Sequence, residues 1–381
     1  MTKKAEKYQF IKAIFVLIGT TIGAGILAIP YSIYHAGYWV GILYLIILGL
    51  MTTFLNLMLG EIVLRTKKNL QIPEIIKLYL GKKGYIVSLL AMFIIIYGAM
   101  TAYIQAAGEI MNILIPANSL SWSIVFFVIS TYFIIKGLKF ISKWEVLFVV
   151  SMFLIVSTLW MKSIYMESID WYQFRLNPIT SFSEIIQPYG IILFSYFGVI
   201  AIPHMKIILS RKNYNQMQAA IHISNSIIIL VYSIFVSLVI GVAGTQIEPL
   251  SIITLGNKLG SQTLIIISIF ALFAMISTFI SMGLSMIKSY IYFGKMKSSI
   301  AIILTTFPPM AFLLFDLVKF NIIIQYAGGI GVSIIAILII LTFWKAKSEG
   351  EVLPAYSLGH LKWVGIVMII IFSFGALSLF L

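Results

Sequence analysis

The feature that most constrains this chain is a series of apolar runs, each too long for the core of a soluble domain. A helix needs roughly 20 predominantly apolar residues to cross a bilayer. Runs of that order recur at 10–35, 38–64, 84–115, 119–136, 143–162, 184–207, 216–243, 261–287, 299–315, 321–344 and 361–381. Only 10% of the 381 residues are charged and 61% are hydrophobic, against about 25% charged in soluble domains. The runs do not alternate polar with apolar residues, so they are not the strands of a barrel. Lipid offers no hydrogen bonds, and each span must therefore satisfy its own backbone as a helix. The expectation is an all-α integral membrane protein of about eleven transmembrane helices. The run from Phe10 is too long for a signal-peptide core and ends in Gly and Pro, so it reads as the first span.

The net charge of +14 raises the question of nucleic acid. The distribution answers it. With the N-terminus inside, all 26 Lys and Arg except Lys162, Arg175, Lys258 and Lys319 fall in the inner segments. That is the positive-inside bias of a multi-span protein, and one span more or fewer in the middle would invert it downstream. The expected topology has a cytoplasmic N-terminus and an outer C-terminus, with the bilayer rather than nucleic acid as partner. Cys is absent, which excludes disulfides and thiolate metal sites. Three connections are long enough to carry structure. Leu70–Leu80 reads as a short amphipathic helix on the cytoplasmic face, Ser163–Ser183 is the longest outer loop, and Ile247–Leu259 is either a lid or an ordered surface loop.

Span one contains Gly19-Thr-Thr-Ile-Gly-Ala-Gly25-Ile-Leu-Ala-Ile-Pro30. Glycine costs about 1 kcal/mol relative to Ala in a helix interior, and three of them sit at mid-membrane depth. Packing of small residues explains Gly19 and Gly23, but the further Gly25 and Pro30 go beyond it. An unwound stretch is tolerated in a membrane where it lines a cavity. There the freed N–H groups hold an anion and the freed carbonyls hold an ammonium or a metal cation. Span six, Phe194-Ser-Tyr-Phe-Gly198-Val-Ile-Ala-Ile-Pro203-His204, repeats the arrangement. Interrupted helices at matching places in two halves point to an inverted-repeat transporter. Five spans is an odd number, so the second half enters from the opposite side. The expected organisation is one transporter domain over 1–381: helices 1–5 in 1–162, helices 6–10 in 184–344, and helix 11 at 361–381.

The stretch Gly19–Tyr31 resembles the first-helix motif of the amino acid/auxin permease family, which is related to the bacterial aromatic amino acid permeases. Gly98–Gly108, with its central Tyr103, and the Phe-Gly…Ile-Pro pattern of span six are similar to that family's third and sixth helices. The resemblance implies the LeuT-type fold, with substrate held between helices 1, 3, 6 and 8. On this basis Thr21, Gly23, Ala24 and Gly25 would offer N–H groups to a substrate carboxylate. Carbonyls near Thr20, Phe194 and Ser195 would hold its ammonium, and Tyr103 and Phe197 would shape the side-chain pocket. Ala274-x-x-Ser277-Thr278 resembles the pattern that gives a carbonyl and two hydroxyls to sodium in LeuT-type transporters. Carbonyls of Gly19 and Ile22 would complete the shell, hard oxygen chemistry suited to a small cation.

Isolated charges at membrane depth usually face protein or water. Glu61 reads as a structural partner to a basic residue or to freed backbone near span six. Glu109 reads as either a gate residue or a paired structural acid, Gln105 as near the centre, and His204 as interfacial. No zinc-protease, nucleotide-loop or nucleophile-elbow motif is present, so an enzyme is not expected, and no cofactor beyond a coupling sodium ion or proton. The expected function is alternating-access uptake of amino acids, sodium-coupled. A proton-coupled permease and a membrane sensor that binds amino acid without moving it are the alternatives. The Ile- and Lys-rich composition suggests a prokaryotic source and hence the plasma membrane.

Overall fold

Span one is cut in two. Helices α1 (Lys3–Thr21) and α2 (Gly25–Ala36) meet at 56°, with Ile22–Ala24 outside both. The computed structural model describes residues 3–136, 141–175, 181–243, 247–315 and 320–380, and among them no strand occurs. Spans two to five are α3 (Tyr38–Arg65), α4 (Ile72–Leu114), α5 (Ser119–Lys136) and α6 (Ile141–Tyr165). Span six is also cut, into α7 (Phe182–Ser195) and α8 (Ala201–Leu209). There follow α9 (Met217–Ala243), α10 (Ser251–Leu259), α11 (Ser261–Gly294), α12 (Ser298–Leu314), α13 (Phe320–Tyr326), α14 (Ser333–Glu349) and α15 (Lys362–Leu377). A π-helical turn, Ala327–Val332, joins α13 to α14 within span ten. By length and composition, seven of the described helices can cross a membrane and the bent α1–α2 pair makes an eighth. Helix α6, the shorter α12 and the pair α7–α8 coincide with the other expected spans.

Local chemistry accounts for both cuts. The last α-helical bond of α1's course is Ile22 N–H to the Ile18 carbonyl at 2.8 Å. The next N–H, of Gly23, turns back to the Thr21 carbonyl at 3.1 Å instead. In span six, Phe197 and Gly198 turn back in the same way, to the carbonyls of Phe194 (3.0 Å) and Tyr196 (2.7 Å). Pro203 is the third residue of α8, where its missing N–H costs nothing.

Proline shapes span nine differently. Pro308 lies inside α12 and has no N–H for the carbonyl of Leu304. The Tyr97 hydroxyl of α4 donates to that carbonyl at 2.7 Å and meets the Tyr290 hydroxyl of α11 at 2.6 Å. Thr101, one turn on, donates to the Tyr97 carbonyl at 2.7 Å, and its hydroxyl lies 3.3 Å from the Pro309 carbonyl. These bonds fasten spans three, eight and nine together.

Both connecting helices exist. The expected cytoplasmic segment forms the first two turns of α4, set off from the span by Gly81 at φ 71°. Its apolar face, Ile72, Ile75, Ile76 and Tyr79, is buried. The outer segment forms α10, whose Ser251 hydroxyl donates to the Leu27 carbonyl of α2 at 2.8 Å. Lys162, at the end of span five, donates at 2.7 Å to both the Leu259 carbonyl and the Thr263 hydroxyl. An ammonium at a helix C-terminus is favourably placed against its dipole, so the lysine fastens the end of α10.

Glu61 is fully buried. One of its oxygens meets Arg65 Nη2 at 2.8 Å and Lys347 Nζ at 2.5 Å. The other accepts from Leu358 N–H at 2.8 Å. Its partners are thus basic residues and the segment after span ten, rather than backbone near span six. Tyr356, in the same segment, donates to the Leu57 carbonyl at 2.7 Å.

Candidate substrate and cation site

The two cuts face each other at the centre of the molecule, and the contact is reciprocal. A Cβ on Gly25, the first residue of α2, would lie 2.5 Å from Ser195 Oγ and 3.0 Å from Ser195 Cα, at the end of α7. A Cβ on Gly198 would collide with Thr21 Oγ1, at the end of α1. Thr21 and Ser195 are matched in turn. Each hydroxyl donates one turn back along its own helix, to Leu17 (2.7 Å) and Ile191 (2.8 Å).

Tyr232 of α9 joins the cuts. Its buried hydroxyl donates to the Ser195 carbonyl at 2.7 Å and lies 3.3 Å from the Thr21 carbonyl. Reading the sequence did not find this residue, because a lone Tyr in an apolar run resembles any core aromatic. Removing one partner of a buried hydrogen bond costs about 1–3 kcal/mol. Tyr232→Phe is therefore expected to weaken apparent substrate affinity by roughly tenfold or more. Uptake kinetics of the reconstituted variant check this, and parental kinetics would remove Tyr232 from the site.

The cut in span one leaves both kinds of backbone group unpaired. The N–H groups of Ala24, Gly25 and Ile26 have no backbone acceptor, as expected of a helix start. The carbonyls of Gly19 and Thr20 do not receive the N–H groups of Gly23 and Ala24 that a continuous helix would supply. Thr21 N–H lies within α1, and Gly23 N–H is spent on the turn, so the open donors begin at Ala24. The carbonyls of Phe194 and Ser195 already accept from Phe197 and Tyr232, each keeping a second lone pair.

Tyr103 and Thr278 close the site from spans three and eight. Their hydroxyls lie 3.0 and 2.9 Å from where a Cβ of Gly23 would be. Both side chains are buried. Thr278 donates to the Ala274 carbonyl at 3.0 Å, while the Tyr103 hydroxyl makes no hydrogen bond among the described residues. Ser277, beside Thr278, is half-buried. Phe197 is buried near the cut, whereas Phe194 packs against Gly328 of span ten. Gln105 donates to Glu109 at 3.2 Å, so these two pair with each other. His204 is half-buried, its Nε2 3.4 Å from Lys288 Nζ.

The tryptophan/tyrosine permease family model matches residues 6–378. The chain is 27% identical over 388 aligned positions to tyrosine-specific transport system 1 of Haemophilus influenzae, covering 94% of this chain and 92% of the relative. Its fold is similar to that of MhsT in complex with L-phenylalanine, with a TM-score of 0.69, 13% identity and coverage of 96% and 98%. It is also similar to a manganese transporter of Eremococcus coleocola, with a TM-score of 0.66, 11% identity and coverage of 98% and 86%. The fold alone therefore carries chemically unrelated cargo, and the substrate has to be argued from the site.

Proposed function

The chain belongs to the tryptophan/tyrosine permease family, and from that premise we propose that it takes up an aromatic amino acid by alternating access, driven by sodium. One observation carries the reading. Spare N–H groups at Ala24–Ile26, spare carbonyls at Gly19 and Thr20, and the Tyr103 hydroxyl beside Gly23 all lie at the buried break in span one. An amino acid zwitterion needs donors for its carboxylate and acceptors for its ammonium within a few ångströms. Ala24, Gly25, Ile26 and Tyr103 serve the carboxylate. The carbonyls of Thr20, Phe194 and Ser195 serve the ammonium, and Phe197 borders the side chain. The name of the Haemophilus relative supports an aromatic substrate. The reciprocal contacts of Gly25 with Ser195 and of Gly198 with Thr21 support treating 1–162 and 184–344 as inverted halves, with α15 added. The charge distribution supports a plasma-membrane protein with its N-terminus in the cytoplasm.

For the cation, the oxygens of Gly19, Ile22, Ala274, Ser277 and Thr278 form the proposed ligand set. Span five carries no ionisable residue between Leu147 and Leu159, so no tethered ammonium competes for the place. Each sodium entering gains roughly 2.3 kcal/mol per 100 mV of inside-negative potential, which drives a neutral amino acid up about a 50-fold gradient. Thr278→Val keeps the shape and removes one oxygen. A polar contact to a charge contributes ~1.5–3 kcal/mol, so sodium affinity is expected to fall by roughly tenfold or more.

The test is uptake by proteoliposomes offered a panel of amino acids under sodium or proton gradients. Sodium-stimulated accumulation that Thr278→Val impairs supports the reading. Equal uptake under a proton gradient in sodium-free buffer, unaffected by that variant, refutes sodium coupling. Saturable binding without flux would make the protein a sensor.

A further inference from the structure

Glu74 is the third residue of α4, in the amphipathic turns that precede Gly81. It is 3% exposed, and among the described residues neither carboxyl oxygen has a partner in well-formed hydrogen-bond geometry. These turns rest on the last third of α11. Gln71 accepts from Ser285 at 3.4 Å, and the Ser289 hydroxyl lies beside the Glu74 carboxyl without closing a well-formed bond. Thr66, at the end of α3, meets Tyr79 rather than Glu74. The mechanism proposed above uses none of these groups.

A buried ionised carboxylate needs a paired charge or several donors. Here the candidates are few. Lys77, one turn along the same helix, is the charge acting on Glu74, and its ammonium stands over the Tyr85 ring at 5.1 Å. On α11, Lys288 is turned to His204 and Tyr290 to Tyr97. The N–H groups of Gln71 and Glu74 and the Ser289 hydroxyl favour the anion, but burial outweighs them and holds the carboxyl above its ordinary range. A metal cation would need more oxygens. Among the described residues no cluster of three acidic or histidine side chains occurs, and hard cations take six or more ligands.

We propose that these turns form an inner lid and that Glu74 is the proton-binding site that bolts it: neutral while the lid is docked on α11, ionised once it has lifted, its proton passing to cytoplasmic water. The proton enters and leaves on one side of the membrane, so it gates the cycle without driving it. This holds whichever ion drives uptake. The sign follows from linkage. The lifted carboxyl titrates near the ordinary ~4.3 and the docked one higher. Between those two values the docked state binds more protons, so rising internal pH favours lifting by up to about tenfold per pH unit. Acid closes the lid.

The chain has no Cys, so Ser285→Cys places a single thiol beneath the lid. Inside-out proteoliposomes of Ser285→Cys and of Ser285→Cys with Glu74→Gln are labelled with a maleimide from about pH 5 to about pH 8. The ratio of the two rates cancels the thiol's own titration. Gln mimics the neutral acid, and its background is expected to label slowly. The ratio should climb with pH, by up to about tenfold per unit. Parallel pH courses overturn the proposal. So does faster labelling of the Gln background at every pH, which would mean a charged carboxylate had been holding the lid. The unmodified protein gives a second measurement: amide exchange of residues 72–80, corrected for intrinsic rate, should show more opening as pH rises. Protection independent of pH overturns the bolt even if the variants do not fold.

Discussion

Gly25→Val is expected to abolish uptake, by about a hundredfold or more, while leaving the protein inserted in the membrane. The reason is space. Neither Gly23 nor Gly25 has a positive φ, so conformational freedom is not what these positions demand. A Cβ at Gly25 already meets Ser195 Oγ at 2.5 Å and the Ser195 backbone at 3.0 Å, and contacts below 3 Å force one partner to move. Valine adds two further carbons. Overpacking a tight site by this much costs typically 1–3 kcal/mol, and the displaced partner is the end of α7 at the proposed substrate site. Gly23→Val pushes on Thr278 and Tyr103 instead, and the same loss is expected. Size-exclusion profiles of the purified variants show whether they are folded, and reconstituted uptake gives the activity. Normal affinity in either variant would move the substrate elsewhere.

Glu61→Ala has the largest expected effect on stability. One carboxylate, 0% exposed, holds Arg65, Lys347 and the Leu358 N–H. Removing one partner of a buried ionic group costs roughly 3–5 kcal/mol, because the remaining charges stay buried without compensation. The thermal unfolding midpoint of the detergent-purified protein should drop accordingly. If the cost lies in the stranded cation, adding Lys347→Met to Glu61→Ala should recover part of it, a non-additivity that a double-mutant cycle measures. An unchanged midpoint for Glu61→Ala would show that the cluster contributes nothing.

Spans and breaks were legible because lipid simplifies the problem. Every apolar run had to be a helix, and glycines placed at mid-depth had to be either packing or interruption. At Gly25 and Gly198 they are both, since each glycine packs on the polar end of the opposite half-helix. Side-chain partners were much less legible. Glu61 was rightly read as paired, but its Lys347 partner lies 286 positions away, and no local pattern encodes that. The partners of Lys162 were not legible either, because the position of α10 is not visible in sequence. Tyr232 and Tyr97 had no signal at all. Their hydroxyls matter because of orphaned carbonyls on other helices, and a carbonyl is orphaned by geometry rather than by residue type.

The Tyr97 fastening has a mechanical consequence. It ties span three to spans eight and nine, so Tyr103 and Thr278 stand on one rigid post. Tyr232 ties the ends of α1 and α7 to α9, making a second body. The surface between the two runs past Gly23, where nothing larger than a hydrogen separates them. A ligand lodged at that seam touches both bodies at once. At the proposed site its binding energy would act on the seam itself, with no relay of side chains needed to convert occupancy into motion.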